Sequence, residues 1–173
     1  MLSTRYKAAK FAIYVLVLLA LTVMQNTPGL FAIMNIKPML AAAMAISVAM
    51  FEGELAGGFM GAFAGFCCDL FSSYSFGYYT LTLFFFCVTI GLLVQSYMRP
   101  VVANAILFTF ITMAVIQWIG FFFSFLLWGY EGAGRYYLYR LLPMCIYTAV
   151  SAAPLYYLTR MIHGTFQKKI LAA

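Results

Sequence analysis

The chain has 173 residues, of which 66% are apolar and only 8% are charged, and its net charge is +6. A soluble domain of this length must present a mostly polar exterior to water, so the composition excludes one and predicts an integral membrane protein. The ten basic residues are not gathered along one helix, so we interpret them as signals of membrane orientation and expect no nucleic-acid partner.

Six apolar runs follow one another along the chain, and a membrane-spanning helix needs about 20 such residues. The predicted helices cover about residues 11–24, 39–51, 55–70, 77–96, 101–128 and 141–162. The first run follows basic residues as in a secretory signal, but no small-residue cleavage site comes after it, so we predict a retained helix. The predicted fold is an all-α membrane protein, with residues 1–173 forming one transmembrane domain and one compact bundle.

The second and third predicted helices are shorter than a comfortable span and are separated by Glu52, Gly53 and Glu54. Either both are tilted spans, or they form a hairpin that turns within the membrane, where protein or water must cover the turn. Both interpretations return the chain to the side from which it came. We interpret the two glutamates as a solvated turn, the alternative being a polar site at membrane depth.

The basic residues predict the orientation. If the N-terminus is inside, seven of them lie on the cytoplasmic side and only Lys37, Arg135 and Arg140 lie outside. The sequence therefore predicts a multi-pass protein of the plasma membrane with both termini in the cytoplasm.

No pattern of a catalytic site, a metal site or a phosphate-binding loop occurs in the sequence. The four cysteines lie within apolar runs, and the single histidine, His163, is far from them and has no acidic neighbour in sequence. We interpret His163 as a residue of the membrane interface. The chain is predicted not to be an enzyme, and no catalytic residue, metal ligand or cofactor is expected.

Glycines four residues apart mark the third predicted helix at Gly57, Gly61 and Gly65. They share one helix face, where the absence of side chains lets another backbone approach closely. The face either packs against a neighbouring helix of this chain or docks a helix of a partner. If it docks a partner, Gly61→Leu is expected to weaken partner binding without unfolding the bundle.

Other polar residues within or beside the apolar runs are candidate contact residues. Asp69 ends the third helix and is either a plain loop residue or an anchor that accepts hydrogen bonds from loop amides or pairs with Arg135 or Arg140. Gln117 and Asn104 lie in the fifth run, where buried amides usually bond to another helix and less often contact a substrate.

Several of these pieces together resemble the rod shape-determining protein MreD family. They are Lys37-Pro38, the run Phe51-Glu52-Gly53-Glu54-Leu55-Ala56-Gly57, the stretch from Gly61 to Ser72 that contains Gly65 and Asp69, and the closing Phe76-Gly77. The specific resemblance covers roughly residues 37–80, while the rest is similar in size and hydropathy.

This resemblance implies a non-enzymatic scaffold subunit of the bacterial cell-wall elongation complex, which helps regulate peptidoglycan synthesis and cell shape. The implied partners are an MreC-like single-span protein, a RodA-type glycosyltransferase, a class B penicillin-binding transpeptidase, the filament protein MreB and the lipid bilayer. By the same resemblance, Gly57, Gly61 and Gly65 make tight helix contacts, and Asp69, Gly77 and Pro38 anchor loops. Glu52 and Glu54 depart from the basic or neutral turn expected there.

The MreD family is also similar in fold to the substrate-binding subunits of energy-coupling-factor vitamin transporters, which supplies an alternative function. That function predicts an outward polar pocket, for which Gln117, Asn104, Asp69 and Arg135 are the candidate lining residues. Such subunits dock their energising module through small residues on the first helix. Here that helix carries mostly bulky aliphatic residues, which disfavours transport.

Overall fold

A computed structural model describes residues 2–27, 36–72, 76–123 and 137–171. In this part of the chain the protein forms six α-helices and no strand, in agreement with the predicted all-α class. The helices are α1 Leu2–Asn26, α2 Leu40–Glu52, α3 Glu54–Asp69, α4 Tyr78–Ser96, α5 Val102–Phe121 and α6 Leu142–Leu171. A π-helical turn, Tyr137–Leu141, leads into α6.

Four of the helices contain segments long and apolar enough to cross a membrane: Tyr6–Asn26, Tyr78–Ser96, Val102–Phe121 and Tyr139–Lys168. The 19 residues of α4 correspond to about 28 Å of helix, close to the roughly 30 Å of bilayer hydrocarbon. Helix α2, with 13 residues, and helix α3, with 16 residues, are shorter. The protein is therefore a multi-pass membrane protein with at least four candidate spans.

Helix α2 lies at the centre of the bundle. Every residue from Leu40 to Met50 is buried, and the helix contacts α1, α3, α4, α5 and α6. Its sequence is apolar on all faces, as expected for a helix that protein surrounds completely. Because its neighbours enclose it, α2 does not have to match the thickness of the bilayer by itself.

Helices α2 and α3 form a tight hairpin around the single residue Gly53. This glycine has a φ of +87°, a backbone conformation that side chains disfavour. Ala49 and Gly57, four residues to either side, face each other so closely that a Cβ on Gly57 would lie 2.5 Å from the Cα of Ala49. The turn is covered by α4, because Gly91 packs directly against the backbone of Glu54.

The contacts place successive helices in alternating directions between two ends of the bundle. Lys10 of α1, Glu52 of α2 and His163 of α6 meet at one end, which we call the Glu52 end. At the opposite end, which we call the Asp69 end, Gln25 of α1 contacts the end of α3, and Asp69 contacts the start of α4. The N-terminal half of α1 and the C-terminal half of α6 therefore lie at the same end.

Two helices are longer than the hydropathy predicts. Helix α1 begins at Leu2 instead of near residue 11, and α6 continues to Leu171 instead of ending near residue 162. Hydropathy marks only the apolar part of a helix, whereas polar residues extend a helix into the interface without a change of backbone. Helix α5 ends at Phe121, and predicted helical residues 124–128 lie outside the described part of the chain.

Candidate functional site

The most unusual polar feature is a cluster of ionisable side chains around Glu52. One carboxylate oxygen, Oε2, lies 2.5 Å from Nζ of Lys10. The other, Oε1, accepts a hydrogen bond of 3.0 Å from the hydroxyl of Tyr14 and lies 2.7 Å from Nδ1 of His163. We call these four residues the Glu52 cluster. It joins α1, α2 and α6 through one carboxylate.

The Glu52 cluster is largely removed from solvent. The side chains of Lys10 and Glu52 are 6% and 8% exposed, that of His163 is 25% exposed, and Tyr14 is fully buried. An isolated charge in such a place is costly, because it loses its hydration without compensation. Each charge is therefore tolerated only because the other members of the cluster are present.

Aromatic side chains fix the histidine of this cluster. The ring of Phe51 packs against His163 with centroids 5.4 Å apart and against Tyr156 with centroids 5.1 Å apart. The hydroxyl of Tyr156 in turn donates a 2.5 Å hydrogen bond to the carbonyl of Pro100. The cluster is thus tied to the connection between α4 and α5 as well.

The sequence interpretation of Glu52 was wrong, and the partner of His163 was missed. Glu52 is not part of a solvated turn, because neighbouring helices cover its side chain. His163 has no acidic neighbour in sequence, yet it contacts a carboxylate 111 residues away. A signal was present, since Lys10 and Glu52 both adjoin apolar helical runs, where ionisable residues are expensive. Glu54, which follows the glycine, remains partly exposed.

Asp69 caps helix α4 from the end of α3. Its Oδ1 accepts a hydrogen bond from the backbone N–H of Tyr79, and its Oδ2 accepts from the N–H of Thr80, each at 3.0 Å. The hydroxyl of Thr80 donates a further 2.5 Å hydrogen bond to Oδ2. The first N–H groups of a helix have no partner within the helix. The negative charge of a carboxylate at this end also interacts favourably with the helix dipole. The amides that Asp69 binds therefore belong to a helix end.

Gly77 supplies the backbone conformation that this cap requires. It precedes α4 with a φ of +95°, and a Cβ at this position would meet no atom within 4 Å. The glycine is therefore explained by its left-handed backbone and not by a lack of space. Arg135, a predicted partner of Asp69, lies outside the described residues.

The glycine face of α3 packs against other helices of the same chain. A Cβ on Gly61 would lie 2.7 Å from the carbonyl oxygen of Leu83, and one on Gly65 would lie 2.5 Å from the Cα of Thr80, both in α4. Gly57 packs against α2 in the hairpin. Of the two interpretations, packing within the chain is the one that these contacts support, because α4 already occupies this face. Gly61→Leu would collide with the backbone of the bundle.

Pro38 is buried just before α2, at the Asp69 end. The start of α2 is capped by side chains from distant helices: the N–H of Met39 donates to Oγ1 of Thr148 at 3.1 Å, and the N–H of Ala41 donates to Oε1 of Gln25 at 3.2 Å. Sequence reasoning missed Gln25 and Thr148, because no local capping motif precedes α2 and the caps come from α1 and α6.

The two amides of the fifth run have different roles. Gln117 is buried, and its Nε2 lies 3.1 Å from Sδ of Met144, so it connects α5 with α6 as a buried amide is expected to do. Asn104 donates a 3.0 Å hydrogen bond to the carbonyl of Arg99 and binds the local backbone at the start of α5.

Two adjoining cavities open among the helix ends at the Asp69 end. One has a volume of about 170 Å³, and its polar lining is Gln25, Asn26, Lys37, Ser72 and Tyr79. The second has a volume of about 300 Å³ and shares Lys37 and Met144 with the first. Of the residues expected to line an outward pocket, Asp69 caps α4 and Gln117 bonds to Met144.

Within the described ranges, no group of three histidine, cysteine or acidic side chains could hold a metal ion. The cysteines Cys67, Cys68, Cys87 and Cys145 are buried and free. Comparison with protein-family models, with curated proteins and with solved structures gave no significant match. Fold and site together define an all-α, multi-pass membrane protein with a buried ionic cluster and a helix seam closed by glycines.

Proposed function

We propose that this protein is a non-enzymatic scaffold subunit of the bacterial cell-wall elongation complex, of the MreD type. The proposal rests on one observation: the residues that support the resemblance hold the helices of this bundle together. Gly57, Gly61 and Gly65 close the contacts of α3 with its neighbours, Asp69 caps α4, and Gly77 shapes the turn before it. These residues maintain a rigid framework, which is what a subunit that presents its surface to other membrane proteins requires.

For the topology, we propose six membrane crossings with both termini in the cytoplasm of a bacterium. The alternating helix directions support this number, since α2 and α3 run between the same two ends as the longer helices. The distribution of basic residues supports the orientation. Of the basic side chains that the structure describes, Lys37 and Arg140 lie at the Asp69 end. The other five lie at the Glu52 end and are Lys7, Lys10, Arg99, Arg160 and Lys168.

In this proposal, the partners are an MreC-like single-span protein, a RodA-type glycosyltransferase and a class B penicillin-binding transpeptidase, with MreB on the cytoplasmic side. The internal use of the glycine face means that a partner helix must bind elsewhere on the bundle. The lipid-facing sides of α1, α4 and α5 carry large exposed apolar side chains such as Leu16, Phe85 and Trp118. Partner helices would replace lipid on such surfaces through van der Waals packing.

The test is affinity purification of the tagged protein from native membranes in a mild detergent, with the bound proteins identified by mass spectrometry. Recovery of an MreC-like protein together with RodA or a transpeptidase, absent from a parallel purification of an unrelated tagged multi-span protein, is the expected result. Depletion of the protein should also make rod-shaped cells round. Recovery of paired ATPases with a transmembrane coupling subunit would overturn the proposal.

The second candidate is the substrate-binding subunit of an energy-coupling-factor vitamin transporter, and the polar cavities at the Asp69 end are the observation that favours it. Ligand pockets usually have volumes of about 300–1,000 Å³. The cavity of about 170 Å³ is smaller than that, and only the adjoining cavity of about 300 Å³ reaches the lower limit. The exposed side of α1 carries Ala12 and Ala20 but also bulky Leu16, Leu19 and Val23, which disfavours close docking through small residues. The scaffold therefore remains the first proposal.

A further inference from the structure

Helix α6 carries a surface depression at the Glu52 end, on the side of the helix that faces away from the core. Its described lining is Tyr157, Arg160, Met161, Gly164, Thr165 and Lys168. These residues form two adjacent rows with a spacing of four, so all of them lie on one face of the helix. The depression is separate from the Glu52 cluster, to which α6 contributes His163.

Gly164 forms a notch in the middle of this face. A Cβ built on Gly164 meets no atom within 4 Å, in contrast to Gly61, where a Cβ would lie 2.7 Å from the backbone of α4. No close helix contact and no unusual backbone angle accounts for a glycine here. Arg160 and Lys168 stand four residues before and after it, about 6 Å along the helix axis in each direction. Both long side chains can reach a group seated in the notch.

The two cations of this face have no acidic partner among the described residues. Of the acidic side chains in that part of the chain, Glu52 is the one that forms ion pairs, and its partners are Lys10 and His163. Arg160 and Lys168 are both exposed. The face therefore has an uncompensated positive charge beside an open notch.

The apolar part of the same face indicates where it lies in the membrane. Tyr157 and Met161 are 54% and 71% exposed, and both precede Gly164, Thr165 and Lys168 along α6, with Arg160 between them. The candidate span that contains them ends at Lys168. Beyond Met161, the described surface of this face becomes polar and cationic up to Lys168, as the bilayer changes from acyl chains to headgroups.

We propose that this face binds one anionic phospholipid, with its phosphate in the Gly164 notch between Arg160 and Lys168 and its acyl chains along Tyr157 and Met161. Basic residues at the membrane surface attract anionic headgroups, and arginine also matches the geometry of a phosphate. Tyr157 and Met161 come before Gly164 and Lys168 along the helix, which matches the order of acyl chain and phosphate in a lipid. Arg160 lies beside Met161, and its long side chain can extend towards the headgroup. A free phosphate ion would leave the apolar part of the face unused.

The experiment is native mass spectrometry of the purified full chain in detergent, titrated with dioleoyl phosphatidylglycerol or dioleoyl phosphatidylcholine. We expect the first phosphatidylglycerol to bind with higher affinity than phosphatidylcholine. Arg160→Gln and Lys168→Gln should each weaken that first binding step about fivefold, the change expected for one basic residue near an anionic headgroup. Arg99→Gln, an exposed cation at the same end outside the depression, is the matched charge control and should change nothing.

A second pair of variants tests the notch separately from the charge. Gly164→Leu fills open space and should weaken the first binding step without lowering the melting temperature, whereas Gln167→Leu, at an exposed position outside the lining, should leave binding unchanged. Equal affinity for both lipids, or wild-type affinity in the double variant Arg160→Gln/Lys168→Gln, would overturn the proposal. Displacement of the lipid by millimolar inorganic phosphate would identify a simple anion site, and a lipid-independent dimer lost in Gly164→Leu would identify a contact between two copies.

Discussion

Glu52 is the residue through which the polar side chains of three described helices meet. Its two oxygens bind a lysine, a tyrosine and a histidine from two other helices. Removal of one partner of a buried ion pair is more harmful than replacement of the whole pair by apolar groups, because the remaining charge loses its compensation. Loss of the Glu52 charge is therefore expected to lower the stability of the folded protein.

Glu52→Gln should destabilise the protein by about 3 kcal/mol, since Lys10 keeps its charge in a buried place. The measurement is thermal unfolding of the purified protein in detergent. Glu54→Gln is the matched control, because Glu54 lies two residues away and is partly exposed, and its melting temperature should stay near that of the wild type. Equal melting temperatures for the two variants would contradict the structural role of Glu52.

A double variant separates the lost contact from the uncompensated charge. Lys10→Met/Glu52→Gln removes both charges, so it should be more stable than Glu52→Gln alone. The difference between the double change and the sum of the single changes gives the coupling energy of the pair. A coupling energy near zero would show that the two side chains do not interact in the folded protein.

The Glu52 cluster also shows what a single sequence cannot provide. Lys10 and Glu52 are 42 residues apart, and Glu52 and His163 are 111 residues apart. Local spacing carries no information on which helices pack side by side. The sequence could indicate that each ionisable residue beside an apolar run needs a partner, but only the arrangement of α1, α2 and α6 identifies that partner.

At the scale of helices, the start of α4 depends on a side chain from α3. Asp69→Ala should remove three hydrogen bonds at once and destabilise the protein by about 2 kcal/mol, within the range of lost helix caps and lost buried hydrogen bonds. Thr80→Val, which removes only the hydroxyl donor, should cost less. Hydrogen exchange of the α4 amides is the second measurement, and faster exchange confined to the first turn of α4 would identify the cap as the cause.

The seam between α3 and α4 gives a matched pair of glycine variants. Gly61→Leu places a side chain against the carbonyl of Leu83 and should destabilise the protein by about 3 kcal/mol or prevent folding. Gly164→Leu makes the same change in a helix where a Cβ meets nothing, and it should be neutral or slightly stabilising, because leucine favours helix more than glycine does. The two variants are compared by their yield and melting temperature in detergent. A Gly61→Leu protein as stable as the wild type would contradict the packing of this seam.

Helix boundaries could be predicted well where the sequence changes its chemistry sharply. The ends of α2 and α3 were predicted to within one residue. They are marked by Pro38, by the charged and glycine residues around Gly53, and by the polar stretch after Asp69. The outer ends of α1 and α6 were missed, because a helix that leaves the hydrocarbon loses its apolar character and keeps its backbone hydrogen bonds. The caps of α2 were missed as well, since they come from α1 and α6. For Asp69, an anchor of backbone amides was one of the predicted roles, but the amides were expected in a loop and belong to the start of α4.

At the scale of the whole molecule, the two ends of the bundle differ in chemistry. The Glu52 end combines the buried ionic cluster with most of the described basic side chains, and the Asp69 end combines helix caps with the polar cavities. A membrane protein with such an asymmetry should adopt one orientation, because basic residues are retained on the cytoplasmic side. The connection between fold and orientation can be measured directly.

Single cysteines introduced at the two ends should react from opposite sides of the membrane. The four native cysteines are buried and give a low background. Lys37→Cys lies at the Asp69 end and should react with a membrane-impermeant maleimide added to intact cells. Lys168→Cys lies at the Glu52 end and should react only after the cells are permeabilised. Both positions are exposed, so the result depends on the side of the membrane on which each cysteine lies and not on burial within the protein. The reverse pattern would invert the orientation. Labelling of both residues from outside would contradict the odd number of crossings that the six-crossing topology places between Lys37 and Lys168.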